Sequence, residues 1–474
     1  MCCVPIFYNY IMKKKSVFAA LIIAGFVFAA CDKNDNTEPE PQPEPTADTT
    51  SISGTTQPGP DPDSIPPFWC EIPVYQNDTV SVNLGTISAQ TEGDFTFNIV
   101  KQLNNESDGN FFLSPISVQM AFAMLANGAD GDSRKQIIDA FGYGSKSIDE
   151  LNGYCRKIIS DWNTLNSEYA NKSAQVSEYE NGASQQTIET ANAIWTDRRF
   201  PLFSEYIELC NNYFDAEAAT LNFANKDSSL AVMNGWCNQK THGMIPSMLS
   251  DLDPLTITVM ANALYFKADW ANPFKEYATQ KADFTNADGA VSQVDMMHQQ
   301  EYFNYVRTDI FTMAELPYTG TTCMDIILPN NGISVGQCIE QLSQVRFDAA
   351  LAKMSSQELF VHLPKFDLEF NHNLVKIMNQ LGVVDVFSPL TADLSKMGGG
   401  YTEAFVSDAF QLSHISVDES GTEAAAVTVV VFEITGVVGP VEVPIEFNVN
   451  RPFAYIIRDK QTGAILFVGK VEKL

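Results

Sequence analysis

Residues 418–435 read DESGTEAAAVTVVVFEIT: an acidic turn, then small residues, then β-branched ones. Val, Thr and Phe suit a pleated, half-buried surface, so the composition is that of a strand. At period two, one parity carries Thr422, Ala424, Ala426, Thr428, Val430, Phe432 and Ile434 and is uncharged, while the other carries Glu423 and Glu433. Such a segment can bury one face. Yet it opens with the charge and glycine of a loop, and its first half has little bulk to bury.

The surroundings are those of a folded domain. SPISVQMAFAMLANGA (114–129) has helical periodicity, with Ser114 and Pro115 as its start and Gly128 as its stop. Strand composition dominates ITVMANALYFKADW, TMAELPYTGTTCMDIILPN and LFVHLPKFDLEF, and a helical NLVKIMNQLG follows, ending at Gly382. The C-terminal run predicts two strands joined by a turn at DKQTG. Helices gathered before long runs of strands indicate an α+β class. A chain of 474 residues that is 45% hydrophobic has material for one large core or two average ones.

Ahead of this domain the chain changes character. Residues 1–11 are expected to lie upstream of the true start at Met12. MKKKSVFAALIIAGFVFAAC (12–31) has three lysines, a short apolar run and small residues before a cysteine, the layout of a secretory signal. FAAC also resembles a bacterial lipoprotein signal, with 12–30 removed and Cys31 lipidated, although Phe28 stands where an aliphatic residue is usual. Residues 31–68 then form the anchor and an acidic, Pro-rich linker, too poor in apolar residues to order itself. Residues 69–91 are an N-terminal extension with a strand-like TVSVNLGTI, and 92–474 are continuously globular. The remaining cysteines, Cys70, Cys155, Cys210, Cys237, Cys323 and Cys338, are scattered without a CxxC pair, which excludes a zinc ribbon and leaves disulfides and buried thiols equally open.

Catalytic signals are lacking. His242, His298, His362, His372 and His414 form no HExxH or HxH spacing, and each reads as structural or exposed. There is no GxSxG elbow. GYGSKS (142–147) lacks the glycine spacing of a phosphate loop, and GADGDS (128–133) lacks the closing Glu of a calcium loop, so both read as turns. No metal or cofactor is implied. A net charge of −29 argues against nucleic acid and heparin-like polyanions, which need clustered Lys and Arg.

ESGTEAAAVT resembles the hinge of the serpin reactive loop, and the resemblance extends from about residue 92 to the end. NFFLSPISVQMAFAMLANGADGDSRKQI, ANAIWTD, MNGWCNQKTHGMIPSML, VMANALYFKADWANPF, LPKFDLEFNHNLVKIMNQLGVVDVFSPLTADLS and NRPFAYIIRDKQTGAILFVGKV follow the family pattern in order. The resemblance implies a fold of three β-sheets, a helical shell and an exposed reactive loop. It also implies an inhibitor rather than an enzyme. A serine or cysteine protease attacks the loop and becomes acylated; the cut loop inserts into the central sheet as a new strand and carries the protease with it, a strand addition that also releases stored strain.

Residue by residue, the resemblance makes Glu419, Gly421, Thr422, Glu423, Ala424, Ala425 and Ala426 the hinge, with Gly421 permitting the backbone reversal. Ser114, Ser117 and Asn262 match the polar shutter cluster, with Gln411 where the family usually has histidine. Trp270 matches the breach tryptophan, where the loop enters the sheet. Counting seventeen residues from Glu419, as inhibitory members usually do, puts the scissile bond at Thr435–Gly436, within a longer bait from Phe432 to Val438. Aliphatic residues there point to elastase-like targets, and the lack of Arg or Lys argues against trypsin-like ones. A monomer held to a bacterial outer membrane only through Cys31, on its periplasmic face or at the cell surface, is expected. The alternative is a non-inhibitory serpin serving as a surface binding or structural module; its hinge would carry bulky, charged or proline residues on the inward parity, where this chain has Thr422, Ala424, Ala426 and Thr428.

Overall fold

The computed structural model describes residues 89–144, 147–175, 186–399, 404–422 and 443–474. Helix α1 (Ala89–Glu106) begins inside the stretch read above as an extension and leads through β1 (Phe111–Leu113) to α2 (Pro115–Gly128). Ser114 caps α2, its hydroxyl oxygen accepting from the Ser117 N–H, and Pro115 sits in the first turn, where no N–H is needed. α2 is buried on every side, as a helix without charged residues should be.

Then come α3 (Gly131–Ala140), α4 (Ile148–Gln175), β2 (Gln186–Asp197), α5 (Ser204–Phe214), β3 (Glu217–Leu221), α6 (Lys226–Lys240) and β4 (Thr258–Asp269). The second half is mostly strands: β5 (Gln280–Thr285), β6 (Val291–Arg307), β7 (Phe311–Pro317) and β8 (Thr322–Pro329). Two short helices, α7 (Val335–Gln341) and α8 (Gln344–Leu351), precede β9 (Ser355–Pro364), β10 (Phe366–Asn373) and α9 (Val375–Gln380). The chain closes with β11 (Asp408–Val417), β12 (Gly421–Thr422), β13 (Ile445–Asn448), β14 (Phe453–Asp459) and β15 (Ile465–Val471). β14 and β15 are the expected C-terminal pair, turned at Gly463, whose φ of 77° suits glycine.

Among the described residues, nine strands form one sheet in the order β1-β15-β14-β8-β7-β6-β9-β13, with β5 beside β6, and six form the other in the order β10-β11-β12-β4-β2-β3. β6 accounts for the difference from three expected sheets. Its 17 residues pair in turn with β5, β9 and β7, joining two of those sheets into one hydrogen-bonded surface.

The six-stranded sheet is buried on both faces. Met260, Leu264, Phe266 and Ala268 of β4, with Ala409, Ile415 and Val417 of β11, face the main core. The opposite parity, Val259, Ala261 and Ala263 with Leu412, joins a second cluster that includes Met233 and Trp236 of α6 and Trp195 of β2. Two sides of alternating apolar residues make this sheet able to bury any strand added between β4 and β11.

Candidate functional site: the opening of the six-stranded sheet

β11 and β4 pair directly, in parallel, over Asp408–Leu412 and Val259–Ala263. Five residues further along each strand they have parted, and β12 lies between them. Thr422 faces Val417 on one side and Ala268 on the other, while Gly421 faces Asp269. The offset between β11 and β4 is the same where they touch, Leu412 opposite Ala263, as where they flank Thr422. The sheet therefore opens by lateral separation, without a slip in register.

Each residue of the wedge has a reason for its type. Thr422 is 2% exposed, and its hydroxyl lies 2.6 Å from the Tyr318 hydroxyl. Burial pushes the Tyr318 phenol far up, so it keeps its proton and has an O–H to share. Tyr318 in turn stacks on Trp270, with centroids 4.3 Å apart and planes at 8°. Gly421 is needed for closeness rather than for a reversal. Its φ lies outside the left-handed region, and a Cβ there would come within 2.2 Å of the Ala268 carbonyl oxygen and 2.7 Å of Asp269 Cα.

Trp270 frames the entrance. Its indole N–H donates to the Asp418 carbonyl at 2.9 Å, and its backbone N–H donates to the Ser420 carbonyl at 2.8 Å. The Asp418 carboxylate closes the turn by accepting from the Ser420 N–H at 2.8 Å. Glu419 is buried, and accepts from Lys365 Nζ and Thr279 Oγ1, both at 2.6 Å. Burial alone would raise this carboxyl, but the bonds from Lys365 and Thr279 outweigh it and hold Glu419 below the usual carboxylate range. Lys365 is raised for the reciprocal reason, Glu419 overcoming the effect of burial.

This ion pair anchors the start of the loop, and its sign is testable. With a depressed folded pKa, Glu419 contributes stability that is present above its unfolded value of about 4.3 and is lost as pH falls through the folded one. Glu419→Gln is expected to cost about 1–2 kcal/mol at neutral pH, less than a fully buried pair because Lys365 is 38% exposed. In urea unfolding, the gap between parent and variant should shrink at acid pH; an equal gap at both would rule the ion pair out as its source.

Deeper in the sheet, the Gln411 side chain accepts from the Ser114 N–H at 3.0 Å and donates to the Ser114 carbonyl at 2.8 Å. It thereby ties β11 to the start of α2. Asn262 is the register partner of Gln411, but its amide donates elsewhere, to Asn192 Oδ1 at 2.9 Å. Ser117 Oγ and Asn262 Oδ1 are buried without hydrogen-bond partners. The structure thus joins Ser114 to Gln411 and sets Asn262 beside them, while Ser117 contributes its backbone N–H to the cap. Glu423, Ala424, Ala425, Ala426, Thr435, Gly436 and Cys31 lie outside the described residues.

Sequence reading missed several members of this site. Lys365, Thr279 and Tyr318 come from distant segments, and only the fold brings them to the hinge. His298 and His362, far apart in sequence, also meet, with their Nδ1 atoms 2.6 Å apart. Glu315, Cys323 and Asp325 hold their side-chain donors within 4.8 Å of one another, but Arg458 donates to both carboxylates at 2.5 and 2.6 Å, which makes this a buried ion cluster. The five cysteines of the described residues are buried and none is in a disulfide.

A mixed central sheet, parted at one end around the first residues of a long connection and closed lower down by a buried polar cluster, defines a distinct α+β class. The chain belongs to the serpin family: residues 90–474 match the family model described as Serpin (serine protease inhibitor). It is 33% identical over 386 residues to Iripin-5 of Ixodes ricinus, spanning 80% of this chain and 93% of that protein. It is 30% identical to a leukocyte elastase inhibitor of Xenopus tropicalis, spanning 79% and 96%. Among solved structures it resembles the thermophilic serpin tengpin in its native state, with TM-score 0.71 and 28% identity over 83% of this chain and 96% of that one.

Proposed function

We propose that this chain is an irreversible suicide-substrate inhibitor of serine proteases, able also to trap cysteine proteases, with elastase-like enzymes as its targets. The observation that carries this reading is the seated wedge: Gly421 and Thr422 already lie between β4 and β11, and both flanking strands stay in register below. Insertion after cleavage then continues a ladder that has been started. Extending the two registers puts Ala424 opposite Phe266 and Ile415 and Ala426 opposite Leu264 and Ser413, so the small inward residues enter where large side chains already fill the core. Glu423 falls on the other parity, beside Lys267, where its charge has a partner.

Further along, Thr428 comes between Gln411 and Asn262. Its hydroxyl can donate to Asn262 Oδ1, which is buried without a partner. The polar cluster then holds the inserted strand as well as the closed sheet. In the proposed mechanism the protease cuts at Thr435–Gly436, and its acyl link travels with the strand before water can release it. The similarity to an elastase inhibitor and the aliphatic bait support the choice of target. Attachment to a bacterial outer membrane through a lipidated Cys31 belongs to the same proposal.

The test is direct. Incubating the chain with neutrophil or pancreatic elastase is expected to give an SDS-stable complex, and sequencing the released C-terminal peptide should begin at Gly436. Loop cleavage without a complex across a panel of serine and cysteine proteases would return the chain to the non-inhibitory class.

A further inference from the structure

Away from the opening, β5, β6, β9 and β13 border a cavity of about 260 Å3. His298 of β6 and His362 of β9 are register partners, and Asn448 of β13 faces His362 from the other side, so three polar side chains run across three adjacent strands. His298, His362, Asn448 and Asp283 all line the cavity. The two Nδ1 atoms are 2.6 Å apart, and His362 Nε2 lies 2.8 Å from Glu446 Oε2. A carboxylate only accepts, so with both rings in their neutral form Nε2 of His362 carries the hydrogen and its Nδ1 is a bare lone pair. The hydrogen between the rings therefore belongs to His298. A carboxylate that fixes the tautomer of an imidazole, leaving the other nitrogen bare beside a second imidazole, is the outer half of a histidine metal site.

We propose that His298 and His362 bind a divalent transition-metal ion of the zinc or copper(II) type, with both Nδ1 atoms as ligands and Glu446 holding the His362 ring. Two imidazoles select these ions over magnesium or calcium. For the ion to enter, His298 transfers its hydrogen from Nδ1 to Nε2, and no proton is lost overall. The nitrogens must also part from 2.6 Å to about 3.3 Å, the spacing of two ligands held 2.0–2.1 Å from a tetrahedral centre. The cavity supplies room for that movement, and the remaining positions fall to water. Glu446 stands on the strand that follows the loop, so the ion would bind β13 to the rest of its sheet through His362.

Metal-stripped full-length chain should be titrated with zinc by calorimetry and with copper(II) by electron paramagnetic resonance. The expected result is one ion per chain with hyperfine coupling to two imidazole nitrogens, and an unfolding temperature that rises with the logarithm of zinc concentration. His298→Gln and His362→Gln, which keep side-chain bulk, should each lower affinity more than about tenfold, and Glu446→Gln about 10–100-fold. His414→Gln, on β11 beside Asp367, should leave binding unchanged. Unfolding of the metal-free variants establishes that they are folded. Saturable binding that survives both histidine changes, copper spectra with oxygen ligands only, or no saturable binding at all would each overturn the site.

Discussion

Thr422→Arg is expected to abolish the SDS-stable complex while cleavage of the loop continues, turning inhibitor into substrate. Thr422 is buried between Val417 and Ala268, with its hydroxyl on Tyr318. An arginine there must either place its charge in the main core, at an effective cost of several kcal/mol, or stay outside and withhold the first rung of the ladder. At 1.4 kcal/mol per factor of ten, the number of chains consumed per protease trapped should rise about 100-fold or more. Thr422→Val keeps shape and loses only the hydroxyl, so a change of about tenfold or less is expected from one buried hydrogen bond. Measuring stoichiometry of inhibition for both variants separates size and charge from hydrogen bonding. If the arginine variant inhibited as well as the parent, the seated Thr422 would not be what starts insertion of the loop.

Much of this was legible in the sequence because serpin segments carry their own local logic. The N-cap and proline of α2, the strand composition of β4 and the turn at Gly463 are set by neighbouring residues and fold as read. The alternating parity of the hinge was visible too, and Thr422 sits on the inward side as the period-two reading requires. What could not be read depends on contacts between remote segments. Lys365 and Thr279 reach Glu419 only because the end of β9 and the start of β5 meet at the entrance. The role of Gly421 was misjudged for a similar cause: glycine in a sequence signals freedom of φ, whereas here the constraint is the backbone of β4 pressing on its Cα. The histidine pair needed the register of β6 against β9, and β6 is so long that it also joins sheets that a motif reading keeps apart.

The register makes a second large prediction, for the cleaved chain. Cutting the loop with a protease that is not trapped should raise the unfolding temperature by roughly 10 °C. Hydrogen bonding alone does not explain this. Nine residues from Glu423 to Val431 continue the ladder opposite Lys267 to Val259, but ordering each costs about 1–2 kcal/mol, similar to what its backbone bonds return. Apolar burial decides the balance. Val427, Val429 and Val431 fall opposite Ala263, Ala261 and Val259, toward the cluster beneath α6, while Val430 falls opposite Met260 on the main core side. At about 1.5–3 kcal/mol for each valine buried, these four supply roughly 6–12 kcal/mol. The β-branched half of the loop is therefore the source of stability on insertion, and the alanines before it only keep the path clear. Calorimetry of intact and cleaved chain tests this, and replacing Val427, Val429 and Val431 together by serine should remove most of the rise while leaving the intact chain unchanged. A cleaved parent that unfolds where the intact chain does would mean that the loop stays outside the sheet, and the wedge at Thr422 would then be the full extent of insertion.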